Sequence, residues 1–271
     1  MSPPRRVIGV SRLDDLDRIN EALDAAVAAL EPFTPGAIEA TMKHDDDPVT
    51  AADVAVNDVL LGLLPQPGEG RLFEETVDGT DRLGRDRVWI VDPIDATREF
   101  VQGIPEWSIS IGLIEHGRPV AGGVCNPATR ERIIGSIETG VEYTGHRPAT
   151  AATSLGGAVV LASRSEVGRG EWKRFAHEPF TIVPMGSVAY KLALVAAGRA
   201  DATWTLVPKH EWDVAAGAAL VRASGGWIAL PDGAAPTWNN PDPLIPGLGV
   251  LGHHVGVTRL MGGPSMAVWL R

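Results

Sequence analysis

The sequence predicts a layered α/β protein with helices packed on sheets, and two patterns carry that expectation. Apolar residues recur at helical spacing in two stretches near the start, and a series of short strand-like segments follows between residues 88 and 136. Strands and helices then alternate through the rest of the chain. The first helix is expected over Asp14 to Leu30, where Leu16, Ile19, Leu23, Ala26, Val27 and Leu30 repeat and Pro32 ends the run. The charged stretch Lys43 to Pro48 reads as a loop. Thr50 suits an N-cap for a second helix over Ala51 to Leu64, which Pro65 and Pro67 stop. Gly68 to Gly70 is a turn before a short apolar piece ending at Glu74. Strands are expected at Val88 to Val91, Ser108 to Ile114, Val120 to Cys125 and Arg132 to Ser136, with a hairpin turn at His116 to Pro119. Gly140 to Thr153 is polar and weakly periodic, and it is the candidate lobe boundary. Beyond it, Ala158 to Ala162 and Asp201 to Leu206 read as strands. Ser187 to Ala197 reads as a helix closed by Gly198, and Asp213 to Ala223 as one closed by Gly225 and Gly226.

A chain of 271 residues fits one large domain or two lobes sharing a core, and 44% hydrophobic residues supply that core. The net charge of −10 argues against non-specific attraction to nucleic acid or an anionic membrane. A phosphorylated substrate would also be repelled unless bound metal reversed the local field. Cys125 is the only cysteine, which excludes an internal disulfide and a cysteine-rich zinc site. Met1 to Val10 has no apolar core of signal-peptide length, and no stretch approaches the length of a membrane span. A cytoplasmic enzyme is the expectation. Gly247 to Gly252 matches a dinucleotide-binding glycine pattern by letter, but no convincing helix follows, so it reads as a glycine-rich strand or turn. His253 and His254 are adjacent, so on a strand they would point to opposite faces and could not readily share a metal.

The informative chemistry is acidic. Residues 89 to 100 read Trp-Ile-Val-Asp-Pro-Ile-Asp-Ala-Thr-Arg-Glu-Phe: an apolar strand runs into Asp92 and Asp95, three residues apart across Pro93. Glu74 and Glu75 lie upstream, and Trp212-Asp213 opens a helical run downstream. Carboxylates gathered closely repel one another, and magnesium, which prefers oxygen ligands and works with phosphates, is the economical explanation. Ile94 could add its backbone carbonyl, and Thr97 could open a short helix whose free N–H groups would accept a phosphate.

Asp92-Pro93-Ile94-Asp95-Ala96-Thr97 resembles the signature of the inositol monophosphatase superfamily of magnesium-dependent, lithium-sensitive phosphatases. Val49-Thr50-Ala51-Ala52-Asp53, the Glu74-Glu75 pair and Trp212-Asp213-Val214-Ala215-Ala216-Gly217 resemble its other motifs, in order, over residues 15 to 230 or so. The resemblance implies an α-β-α-β-α sandwich, with an N-terminal α+β lobe over 1–148 and a C-terminal α/β lobe over 149–271 that carries the substrate pocket and Asp213. It implies metal ligation by Glu74, Asp92, Asp95, Asp213 and the carbonyl of Ile94, with two or three magnesium ions and inhibition by lithium. Asp53, Thr97 and Glu74 would be the catalytic group, with Asp53 and Thr97 orienting and helping to deprotonate the attacking water. Amides near Ala96 and Thr97 would hold the phosphate. A homodimer is also implied. The family usually has glycine where this chain has Ala96, a costly change if the position needs a positive φ and a nearly silent one otherwise.

Inositol-selective members usually carry an acidic residue several positions before the Trp-Asp pair, and Leu206 stands near that place here. Pro208-Lys209-His210-Glu211, Ser163-Arg164-Ser165 and Gly186-Ser187-Val188-Ala189-Tyr190-Lys191 instead resemble the bacterial branch that hydrolyses 3′-phosphoadenosine 5′-phosphate. Gly186, Ser187, Lys191 and Glu211 are therefore expected at the substrate, with Lys191 and Arg164 neutralising a second phosphate. Lys191 could equally cap a helix face, and Arg164 could solvate a loop. Inositol, histidinol or another sugar or cyclitol monophosphate remains the alternative substrate. A non-catalytic sensor of a phosphorylated ligand is the alternative from another class.

Overall fold

The computed structural model describes residues 11–42, 48–145, 152 and 154–252. In chain order the elements are α1 (Arg12–Ala29), β1 (Ala40–Met42), β2 (Pro48–Thr50), α2 (Ala51–Leu63), β3 (Gly70–Phe73), β4 (Arg87–Asp95), α3 (Thr97–Gln102), β5 (Ser108–Glu115), β6 (Arg118–Asn126), β7 (Glu131–Ser136) and β8 (Gly140–Thr144). There follow β9 (Val159–Ser163), α4 (Arg164–Gly168), β10 (Thr181–Met185), α5 (Val188–Ala196), β11 (Ala202–Thr205), β12 (Lys209–His210), α6 (Glu211–Ala223), β13 (Trp227–Ala229), β14 (Leu244–Ile245) and β15 (Leu248–Leu251). Among the described residues no helix is long and apolar enough to cross a membrane.

The layers alternate as expected. Strands β3 to β8 form one sheet in sequence order, antiparallel except for the β3–β4 pair. Side chains alternate faces along β4. Trp89 and Val91 join Ile19 and Leu23 of α1 and Val56 and Leu60 of α2 in one core. Val88 and Ile90 face the other way, onto a core with Leu192 of α5 and Val214 and Leu220 of α6. A second sheet, ordered β10-β9-β11-β15-β13, closes the far side of α5 and α6 through Leu161, Leu248 and Val250. Its outer face carries Trp204, stacked 5.0 Å from Trp172 and set edge-on to Phe175 and Phe180.

Burial and ion pairing fasten the outer helix. Asp15 of α1 is fully buried and pairs with Arg12 and Arg87, while Glu69 receives Arg18, Arg87 and the Trp89 indole. Burial alone would raise the Glu69 carboxyl; donation from Arg18, Trp89, the Gln66 amide and Arg87 outweighs it and holds the group at about 2.

Several elements depart from the sequence reading. Gly140 to Thr144, expected within a polar boundary, is a strand that completes the first sheet. It is an edge strand with a partly solvated surface, so its side chains lack the apolar run that marks a buried strand. The proposed boundary near 148, like His253, His254 and most of the 43–48 loop, lies outside the described residues. The 247–252 glycine run contains strand β15, as its composition suggested. Most consequentially, β4 extends four residues past Val91 and takes in both aspartates.

Helix α6 lies directly on the first sheet. Gly112 and Gly122 sit opposite one another on β5 and β6, and a Cβ on either would fall 2.8 Å from the Ala216 nitrogen or 2.6 Å from its carbonyl oxygen. Within the helix, a Cβ on Gly217 would come 2.3 Å from Leu192 of α5. Gly122→Ala is therefore expected to lift α6 and cost about 1–3 kcal/mol in chemical denaturation. Activity should fall further than stability explains, because Asp213 rides on that helix; an unaltered denaturation midpoint would refute the close contact.

Candidate active site

Four motifs far apart in sequence meet at one end of the first sheet. The N-terminus of α2 contributes Asp53. Thr50 caps that helix, and Asp53 Oδ2 in return accepts from the Thr50 amide at 2.7 Å and its hydroxyl at 2.6 Å. The other carboxylate oxygen of Asp53 lies 3.0 Å from Thr97 Oγ1, which is also 3.0 Å from the Ile94 carbonyl. The expected pairing of Asp53 with Thr97 is thus present, buried and held from both sides.

Asp92 and Asp95 reach the same side by a backbone irregularity. In a regular strand, residues three apart point to opposite faces. Here Asp92 pairs with Ser110 and Asp95 with Ser108, so β4 holds one residue more than β5 across the interval. That bulge, at Pro93 and Ile94, turns both carboxylates toward α6. Asp213, in the first turn of α6, completes the group: each of the three acids offers an oxygen within 4.8 Å of the others. Asp213 Oδ2 accepts from the His210 amide at 2.9 Å. Asp95 Oδ2 accepts from Ser187 Oγ at 2.7 Å and from the Ala189 amide at 2.5 Å, which ties it to the start of α5.

The electrostatics of this cluster are those of a cation site. Burial, then the charges of Glu74, Asp95 and Asp213, pushes the Asp92 carboxyl well above its ordinary range. Burial and Asp95 do the same to Asp213, against a smaller opposing effect of Lys209. Asp92 Oδ1 is buried with no hydrogen-bond donor. An orphaned carboxylate oxygen among like charges fits a hard divalent cation, which takes oxygen ligands and supplies the missing positive charge.

The acids floor a cleft of about 410 Å³ whose walls include Glu74, Ala96, Thr97, Arg98, Lys209 and Trp212. His210 and Trp212 stack there at 4.3 Å with planes 9° apart. Ala96 has φ 79° and ψ 52°, so the position does need left-handed backbone, at a cost to alanine of about 1–2 kcal/mol.

Other expected substrate residues occupy different positions. Lys191 is buried, and its ammonium donates to the carbonyls of Met185, Gly186 and Ser187 at 3.4, 3.2 and 2.9 Å. Burial brings its pKa down to about 8, and the group has no open face to offer a phosphate. Glu211 is fully buried and accepts from the Asn239 and Asn240 amides and the Asn240 side chain, so it anchors a loop. Arg164 is ion-paired with Glu106 at 2.5 Å. Gly186 is glycine because a Cβ would meet the Glu106 carbonyl at 2.4 Å, and Ser187 acts on Asp95 rather than lining the cleft. Lys209, His210 and Trp212 are the cleft residues that the sequence reading passed over as substrate contacts. Their motif was visible, but its facing side chains depend on where α6 begins and on the pairing of β12 with β14.

Two outcomes follow from this geometry. Asp92→Asn removes one of the mutually repelling charges, so without metal it should melt above wild type at neutral pH. A raised carboxyl pKa means the folded state holds more protons, so the wild-type deficit should be small below about pH 4 and widen as pH rises. Added magnesium should raise the wild-type melting temperature and leave the variant nearly unmoved; an equal rise in both would remove Asp92 from the ligand set. Ala96→Gly should relieve the left-handed strain and stabilise by about 1 kcal/mol, read from denaturant midpoints.

Comparison with known proteins agrees with this geometry. Residues 16–256 match the inositol monophosphatase family model. An inositol-1-monophosphatase of Mesorhizobium japonicum is 34% identical over 215 residues, 75% of this chain and 79% of the relative. The 3′(2′),5′-bisphosphate nucleotidase CysQ of Escherichia coli O157:H7 is 31% identical over 223 residues, covering 79% and 89%. Among solved structures, extragenic suppressor protein suhB of Bartonella henselae superposes with TM-score 0.75 at 25% identity over 92% of this chain and 98% of that one. CysQ of Bacteroides thetaiotaomicron superposes with TM-score 0.73 at 25% identity, over 89% and 97%. With the matched region spanning every motif of the cleft, the chain belongs to the inositol monophosphatase family and is a phosphatase.

Proposed function

We propose that the protein hydrolyses a phosphate monoester with magnesium, and that its substrate is a nucleoside bisphosphate of the 3′-phosphoadenosine 5′-phosphate type. The observation that carries the metal reading is the unpartnered Asp92 Oδ1 among Asp95 and Asp213. Those three carboxylates, with Glu74 and the Ile94 carbonyl, would hold the metal. A divalent cation bound there supplies charge neutralisation, a more acidic water and polarisation of the ester.

The chain's own groups do the remaining work. Thr97 gives its hydroxyl proton to Asp53, which leaves an oxygen lone pair to accept from and orient the attacking water. Asp53, fixed by the Thr50 amide and hydroxyl, holds that hydroxyl in one rotamer and is the acceptor at the end of the relay. The amides that open α3 lack intrahelical acceptors, and that of Thr97 would donate to a phosphoryl oxygen.

Two features support the nucleotide. Lys209 lines the cleft and takes the part first assigned to Lys191, a cation for a second phosphate. The stacked His210 and Trp212 offer a planar surface suited to a purine. The CysQ relatives carry the corresponding nucleotidase name. A second reading, hydrolysis of an inositol monophosphate, is favoured by relatives named inositol-1-monophosphatase. Against it, Leu206 packs on the aromatic cluster and offers cyclitol hydroxyls no hydrogen bond. A homodimer in the cytoplasm and inhibition by lithium belong to the same proposal.

The test is magnesium-dependent phosphate release from 3′-phosphoadenosine 5′-phosphate, inositol 1-phosphate, histidinol phosphate and fructose 1,6-bisphosphate. The adenosine bisphosphate should be preferred. Lys209→Ala should raise its KM about tenfold and leave inositol 1-phosphate nearly unaffected. Preference for another ester, or an equal effect of the variant on all four, would sink the nucleotide reading and leave the phosphatase intact.

A further inference from the structure

The opposite end of α6 opens on a second cavity, of about 500 Å³. Arg118 and Pro119 at the start of β6, Arg222 of the last turn of α6, and Trp227, Ile228 and Trp238 are among its lining residues. Asp213 and Arg222 stand at opposite ends of one helix, separated by about 14 Å along its axis, so this cavity is distinct from the catalytic cleft.

Its charge is out of keeping with the rest of the molecule. Arg222 is half-buried, and its Nη1 donates to the Pro119 carbonyl at 2.9 Å. That bond fixes the guanidinium without neutralising it. Every other arginine shielded from solvent among the described residues is ion-paired with a carboxylate: Arg12, Arg18, Arg82, Arg87, Arg132, Arg164 and Arg199. Among the same residues Arg222 and Arg118 have no such partner. Burial and the neighbouring charge of Arg118 both lower the Arg222 pKa. In a chain of net charge −10, half-buried Arg222 and exposed Arg118 are near neighbours on this cavity, and neither meets a carboxylate among the described residues. A guanidinium pair matches the oxygens of a phosphate-like dianion, and the tryptophans and Ile228 beside it provide an apolar wall.

We propose that this cavity is a second ligand site, one that takes a small phosphate-class dianion bearing a planar ring. Arg118 and Arg222 hold the anion, and the Trp227–Trp238 side receives the ring. The site is independent of the substrate assigned to the catalytic cleft.

Phenylphosphonate is the probe, because its carbon–phosphorus bond withstands a phosphatase. Binding is measured by calorimetry on the full chain with metal chelated, so that the acidic cleft itself repels the anion. Wild type should bind one equivalent. The Arg118→Gln/Arg222→Gln double variant should bind about tenfold or more weakly, with unchanged magnesium-dependent turnover in the cleft. Arg118→Gln alone leaves the Arg222–Pro119 bond in place and should weaken binding severalfold, which keeps the test valid if the double variant folds poorly. Methylphosphonate should bind more weakly than phenylphosphonate. Wild-type affinity in both variants, or no saturable binding to wild type, overturns the site; equal affinity for the two phosphonates overturns the ring assignment.

Discussion

Asp92, Asp95 and Asp213 place oxygens within 4.8 Å of one another where burial and mutual repulsion both disfavour their charge. Groups in that situation relax by moving apart or by taking up protons. The fold blocks the first route, since each acid is fixed on a rigid element that cannot retreat. Asp92 and Asp95 sit on either side of a bulge in a strand that has neighbours on both sides, and Asp213 sits at the start of a helix pressed against two glycines of that sheet. The second route is open only without a cation. A site that is costly empty and relieved when filled is how a protein couples metal binding to its own stability.

Asp95 connects this cluster to the rest of the molecule. One of its oxygens is committed to Ser187 and the Ala189 amide, so the acid also fixes the N-terminus of α5. Ser187 pays for that contact in backbone conformation, with φ 44° and ψ 116°, a region that stores about 1–3 kcal/mol. Its hydroxyl compensates by also accepting from the Tyr190 amide and, because its proton goes to Asp95, from Ser108. Lys191 then gathers the carbonyls of residues 185 to 187 from beneath. The buried lysine serves the site by shaping the turn that grips Asp95, and with its ammonium on three backbone carbonyls it does not face a phosphate in the cleft.

Much of the site was legible because its donors are short-range patterns. Thr50 and Asp53 form a capping box three residues apart, and Asp92-Pro93-Ile94-Asp95 ends an apolar strand; both are written along the chain. The bulge was not legible, because a one-residue mismatch exists only between β4 and its partner β5. Edge strand β8 was missed for a related reason: its side chains are half solvated, and only backbone pairing with β7 defines it.

The sequence by itself determined the α/β class, the acidic oxygen donors and the family to which they belong, since periodicity and motif order survive without coordinates. Only the tertiary structure decided which charges are available. Lys191, Lys209, Glu211 and Arg222 are equally polar as letters, yet the first is spent on carbonyls, the second lines the cleft, the third holds a loop, and the fourth has no carboxylate among the described residues. The reason is physical: a charged side chain acts according to what surrounds it, and the folded chain sets those surroundings, from carbonyls four to six residues before Lys191 to the Pro119 carbonyl, 103 residues before Arg222.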